Sequence, residues 1–170
     1  FDIWVIGHLR DEKDPLRTAM AARLLPEQSK IRVIHLGKAH TETWAAAART
    51  EQAENPRYIW KGEVSGGAVR KELAKTRLMV LSSHQEGGAN VISEAIVAGV
   101  PVIASDIPGN TGLLGNDYPG LYPGGNETAL AKKLIKVETN IQYLNSLEQA
   151  CKSLRARFLP EREANAWKTL

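Results

Sequence analysis

The chain predicts an α/β domain built on a doubly wound parallel sheet of about six strands, closed by C-terminal helices. Three observations carry this. Short apolar runs alternate with segments of helical spacing along the chain. Gly or Pro marks most of the junctions between them. Leu78-Met79-Val80-Leu81 has the unbroken apolar character of a buried strand. Alternating strands and helices imply right-handed crossovers, which gather the loops after the strands round one crevice.

The elements follow in order. Ile3–Ile6 is a strand stopped by Gly7. Asp14 is placed as an N-cap with Pro15 at the first helical position, and the helix carries Leu16, Ala19, Met20, Arg23 and Leu24 until Pro26 ends it. Ile31–Leu36 is a strand closed by Gly37, and Thr41–Glu54 is an Ala-rich helix closed by Asn55-Pro56. Tyr58–Trp60 is a short strand, and Val69–Thr76 a helix. The buried strand then leads through Ser82–Ala89 into a helix that starts near Asn90 and stops at Gly99. Val100–Ala104 is a strand with Pro101 near its start. Ser105–Tyr118 reads as a Gly-rich loop with one helical turn near Thr111–Leu114, and Gly120–Tyr122 as a last strand. Asn126 caps a helix through Val137, and a longer helix runs from Ile141 to Phe158. Pro160 breaks it before a terminal helix containing Trp167.

At 170 residues there is enough chain for one domain with a real core. The net charge of +3 permits an anionic ligand, but the basic residues are dispersed and no aromatics interleave them, which argues against nucleic acid. Cys151 is the single cysteine, so no intrachain disulfide forms and a reducing cytoplasm suits the chain. No apolar run approaches membrane-spanning length. Phe1 begins inside a strand pattern without an initiator Met, so the chain is expected to be a fragment of a longer protein.

The chemistry centres on Ser82–Ala95. A strand, a Gly87-Gly88 turn and a helix start at Asn90 together form an anion site, because a helix N-terminus presents unpaired N–H groups. Glu86 and Glu94 flank the turn eight residues apart. Glu94 shares a helix face with Asn90, where a carboxylate can accept two hydrogen bonds from a ribose diol; Glu86 can accept from sugar hydroxyls. A bare turn with a solvated Glu86 and a dipole-complementing Glu94 remains the plainer account. His8, Arg10 and Lys13 follow the first strand and face the same crevice, either as phosphate partners or as part of a solvated loop with Asp11, Glu12 and Asp14. Trp60, at a strand end, is a candidate for base contact, whereas Trp4, Trp44 and Trp167 read as packing. There is no GxGxxG, no P-loop, and no histidine spacing that makes a metal site.

These residues resemble a known family. Glu86–Ala95 resembles the E-x7-E motif of the retaining GT-B glycosyltransferases of family 4 (group 1). Gly99–Ser105 is similar to that family's following G-x-P-V strand, and Ile6-Gly7-His8-Leu9 with Lys13 to its G-R-L…K loop. The resemblance spans nearly the whole chain, in the order of the C-terminal, donor-binding, Rossmann-like half. It implies that residues 1–158 bind a nucleotide sugar, with 159–170 a helix packing toward a missing N-terminal domain. It implies that Glu94 holds the ribose, Glu86 the donor sugar and Lys13 the diphosphate. Gly7, His8, Arg10, Trp60, Gly87, Gly88, Ala89 and Asn90 complete the donor site, and Glu86 and Lys13 take the catalytic roles. His8 stands where the family has Arg, and the family's Glu after the next strand is absent from Pro108–Leu114.

Glu86–Val91, Ile107–Asn110 with Gly112–Gly115, Asp117–Gly120, Gly7–Arg10 and Lys13–Pro15 further resemble one branch, the selenosugar synthases, which join a UDP-sugar to selenophosphate. The expected activity is transfer of a sugar from a nucleoside-diphosphate sugar, UDP-linked, with no metal and no cofactor beyond that co-substrate. A GT-B sugar-nucleotide epimerase and a non-catalytic α/β binding module are the alternatives.

Overall fold

The computed structural model describes residues 1–158, apart from Ala74, Gly88, Ala89 and the side chain of Arg70. The predicted terminal helix over 159–170 lies outside the described residues.

Among the described residues one six-stranded sheet forms, in the order β3-β2-β1-β4-β5-β6, with every pairing parallel. The strands are β1 (Asp2–Ile6), β2 (Arg32–Leu36), β3 (Tyr58–Trp60), β4 (Met79–Leu81), β5 (Val102–Ser105) and β6 (Leu121–Tyr122). The helices are α1 (Arg17–Arg23), α2 (Glu42–Glu54), α3 (Gly66–Leu73), α4 (Asn90–Ala98), α5 (Pro108–Leu114), α6 (Glu127–Thr139) and α7 (Ile141–Arg155). The doubly wound prediction therefore holds.

Side-chain alternation divides the core. Ile3 and Val5 of β1 join the large cluster with Ala19, Ile92, Ile96 and Leu134, while Trp4 turns to the other face with Ile34 and Leu36. Burying one such Leu, Ile or Val side chain stabilises the fold by roughly 1.5–3 kcal/mol. On α7, Leu144, Leu147 and Cys151 are buried on one helical face, as the spacing predicts. None of the described helices is long and apolar enough to cross a membrane.

Two local predictions are corrected. Asp14 does not cap α1 and Pro15 is not its first residue: the helix starts at Arg17, and Leu16 before it makes no side-chain cap. Asp14 instead adopts a left-handed conformation (φ 44°, ψ 56°) at the end of a 3-10 turn over Asp11–Lys13. Its carboxylate accepts from Arg17 Nε at 2.7 Å. The stretch expected to be a Gly-rich loop contains the helix α5, with Pro108 in its first turn. Pro there loses no intrahelical bond, so it starts a helix that the glycines alone would disfavour.

The strand order places β1 and β4 side by side, although the chain leaves β1 toward β2 and returns to β4 from the far edge. This is the topological switch point of the sheet. The loops after β1 and β4 diverge there and leave a crevice at the carboxyl ends of the strands.

Candidate functional site

The crevice is held open by contacts that begin at Gly7. Its N–H donates to the Leu36 carbonyl at 2.9 Å, tying β1 to β2. Gly37 follows on β2 and packs directly on it: a Cβ at Gly37 would lie 1.9 Å from the Gly7 carbonyl oxygen. Only glycine allows this approach.

His35 supports the same carbonyl from below. Its Nε2 lies 3.0 Å from the Gly7 oxygen, and its Nδ1 2.9 Å from the Tyr58 hydroxyl. A carbonyl only accepts, so Nε2 carries the proton and Nδ1 accepts from Tyr58. Burial pulls the imidazole down to about 4 from its ordinary 6.5, against a smaller upward pull from the Gly7 bond. The unfolded chain thus binds a proton below pH 6.5 that the folded chain refuses until about pH 4. His35 leaves stability unchanged above pH 6.5 and erodes it as the pH falls. Between pH 7 and pH 5 we expect it to cost about 2 kcal/mol, and His35→Gln to remove that part of the slope in urea unfolding at the two pH values.

The loop after Gly7 is fastened at both ends. Leu9 is fully buried, and its N–H donates to the Lys38 carbonyl at 2.9 Å. Farther on, Ser82 Oγ donates to the Asp14 carbonyl at 2.9 Å, and the His84 N–H to the Glu12 carbonyl at 2.8 Å. Arg17 bridges the Asp14 carboxylate and, at 2.5 Å, that of Glu127 on α6. The left-handed turn at Asp14, a conformation Asp tolerates better than most residues, is fixed by these bonds. It delivers Lys13 to the β4–α4 loop, where Nζ donates to Glu86 Oε1. Ser83 Oγ donates to the same oxygen at 2.6 Å.

The resulting cavity measures about 550 Å³. Seven of the sequence-predicted residues line it: Gly7, His8, Arg10, Lys13, Glu86, Asn90 and Glu94. Asn90 opens α4, and Glu94 lies one turn further along the same face. Gly87 lines an adjoining hollow that shares Arg10 and Glu86 with the cleft. Gly88 and Ala89 lie outside the described residues. Arg10 Nε lies 3.0 Å from the Glu12 carboxylate, and His8 Nδ1 accepts from the Lys38 N–H at 3.1 Å.

Trp60 departs from the reading. It does not line the cleft, and its indole N–H donates to the Gly37 carbonyl at 2.8 Å. It steadies the glycine that braces Gly7. The loop Lys61–Val64 is among those expected at the crevice, and its Glu63 and Val64 line the wall beyond β3, where Gly66 and Val69 join them unforeseen. Their position after a strand end was the available signal, but no side-chain chemistry singled them out.

Three cationic or potentially cationic side chains (His8, Arg10, Lys13) thus share one cleft with three carboxylates, Glu63, Glu86 and Glu94. The cations and the α4 N-terminus suit phosphate; the carboxylates suit hydroxyl groups. Among the described residues, no cluster of three His, Cys, Asp or Glu side chains is placed to hold a metal ion.

The sheet and its helices superpose on HepE of Anabaena, solved in complex with UDP, with a TM-score of 0.80 at 19% identity over 98% of this chain and 49% of that one. The catalytic domain of the cholesterol-α-glucosyltransferase of Helicobacter pylori matches with a TM-score of 0.72 at 20% identity, over 91% of this chain and 97% of that one. In sequence, the chain is 35% identical over 81 residues to TuaC of Bacillus subtilis (strain 168), assigned as a teichuronic acid biosynthesis glycosyltransferase. That match covers 48% of this chain and 21% of TuaC. The chain spans about half the length of HepE and a smaller part of TuaC. The profile of the family described as Glycosyl transferases group 1 matches residues 1–153. With its GT-B-type sheet and that match across nine-tenths of its length, the chain belongs to the group 1 glycosyltransferases.

Proposed function

We propose that this domain is the donor-binding half of a retaining glycosyltransferase of family 4, using a UDP-linked sugar. The observation that carries the reading is the cleft at the β1/β4 switch point, which Lys13, Glu86, the start of α4 at Asn90 and Glu94 line together. Lys13 holds the diphosphate, with Arg10 beside it. Glu94 accepts from the ribose diol. Glu86 accepts from hydroxyls of the donor sugar. Amides over residues 87–90 meet the sugar and diphosphate. As the anomeric bond breaks through an oxocarbenium-like state, negative charge grows on the leaving diphosphate. A fixed cation and helix-end amides stabilise that charge where it develops. The co-substrate is the nucleotide sugar itself, and the reading includes no separate cofactor.

An N-terminal domain across the cleft supplies the acceptor, and the setting is the cytoplasm. The resemblance of Ile107–Asn110 and Asp117–Gly120 to the selenosugar synthases makes selenophosphate the acceptor we favour. The test is to incubate the intact protein with a panel of UDP-sugars, with and without selenophosphate, and identify the products. A glycosylated acceptor with retained anomeric configuration supports the reading. A changed sugar nucleotide formed without acceptor would identify an epimerase instead.

A further inference from the structure

We propose that Ser83, Ser105 and Asn110 form a buried brace that positions the Glu86 carboxylate for the donor sugar. This rests on the nucleotide-sugar reading above and extends it from the cleft wall to the helix behind it.

The brace can be followed atom by atom. Asn110 on α5 is fully buried, and its Nδ2 donates to Ser105 O at 2.9 Å and to Ser105 Oγ at 3.1 Å. Ser105 ends β5, is also fully buried, and its hydroxyl donates to the Ser83 carbonyl at 2.6 Å. Ser83 is 3% exposed and donates through Oγ to Glu86 Oε1 at 2.6 Å. The directions are determined. Each serine hydroxyl has one proton, and its partner here is a carbonyl or carboxylate that only accepts. The brace is mechanical rather than a proton wire, because it passes through the Ser83 backbone.

A second contact joins the same two elements. A Cβ at Gly109, the neighbour of Asn110, would lie 2.1 Å from the Glu86 carbonyl oxygen. So α5 presses against the Glu86 backbone while its Asn110 side chain reaches the serines. This accounts for Gly109 within a helix, where size matters more than helix propensity, although a Cβ at Gly112 would meet nothing within 4 Å.

The adjacent serines divide the work. Ser82 holds the backbone of the Lys13 loop, and Ser83 holds the Glu86 side chain. Both described bonds to the Glu86 carboxylate, from Lys13 and from Ser83, fall on Oε1. Neither uses Oε2. When a diphosphate draws Lys13 away, Ser83 keeps Oε1 anchored and Oε2 is left to accept from a sugar hydroxyl. Ser83 is therefore a positioning residue that acts on the sugar end of the donor and not on the nucleotide end.

The test is calorimetric titration of the intact protein with UDP and, side by side, with UDP-glucose. A hydrogen bond to a charged group is strong enough for Ser83→Ala to weaken UDP-glucose about tenfold. UDP affinity should stay within about twofold, and the UDP-glucose loss should vanish in a Glu86→Ala background, since the two residues act as one unit. If Ser83→Ala fails to fold, Ser105→Ala serves, with a smaller loss confined to UDP-glucose. Equal weakening of both probes, no weakening of either, or an undiminished effect in Glu86→Ala overturns the brace alone. Absence of binding of either probe to the unaltered protein overturns the nucleotide-sugar reading and the brace with it.

Discussion

Replacing Lys13 with methionine is expected to lower kcat/KM of the intact protein for its nucleotide-sugar donor by about 10²- to 10³-fold. Methionine keeps much of the chain length and removes the charge. The loss should be larger in kcat/KM than in Tm, because the loop is fastened independently by Leu9, Ser82 and His84. Some stability will still be lost, since Glu86 is left without its cation. The Glu86 side chain is only 8% exposed, and an unpaired carboxylate there is costly. Adding Glu86→Gln to Lys13→Met should therefore recover Tm without recovering turnover. Steady-state kinetics and thermal unfolding of the two variants check this. Recovery of turnover with Tm would mean that Lys13 only neutralises Glu86.

Gly37→Ala should be nearly as damaging, by a different route. The new methyl group would overlap the Gly7 carbonyl oxygen at 1.9 Å, and both partners are backbone that cannot rotate away. Forcing such contacts costs about 3 kcal/mol. The strain falls on the Gly7 carbonyl that His35 holds and on the Gly37 carbonyl that Trp60 holds. Urea unfolding should show the lost stability, and UDP titration at a temperature where the variant is folded should show weakened binding. A variant as stable and as tight as the parent would mean that the β1–β2 contact is more yielding than the geometry indicates.

Much of this fold was legible because strand and helix signals agreed with the final packing. The apolar runs became the sheet, and Asn126 does cap α6 by accepting from the Ala129 N–H at 2.8 Å. The two local failures share a cause. At Asp14, a residue type that suits an N-cap also suits a left-handed turn, and the Arg17 and Ser82 bonds decided between them. At Pro108–Leu114, low propensity argued for a loop, and close packing on Glu86 overrode it. Tertiary contacts settle such cases, and a single sequence does not display them.

Four polar members of the cleft were legible for a related reason. Lys13, Glu86, Asn90 and Glu94 follow the strands that flank the switch point, so topology alone brings them together. What supports them was not. His35 lies within an apolar strand, and its partners are Gly7, just beyond the end of β1, and Tyr58 of β3. Trp60 sits at a strand end near the crevice, yet its indole turns to the Gly37 carbonyl. Spacing along one strand does not say which neighbour a buried polar group will meet.

On the proposed function, this cleft is expected to hold a nucleoside diphosphate whose ribose rests on Glu94. Titration of the intact protein and its Glu94→Ala variant with UDP tests it most directly. Ligand binding to the native state alone must raise Tm, by about 2.7 kcal/mol of added stability at a hundredfold excess over Kd. The account predicts that UDP stabilises the parent and that Glu94→Ala weakens its binding about tenfold to hundredfold, the worth of one or two hydrogen bonds to a carboxylate. UDP affinity unchanged by Glu94→Ala would contradict it.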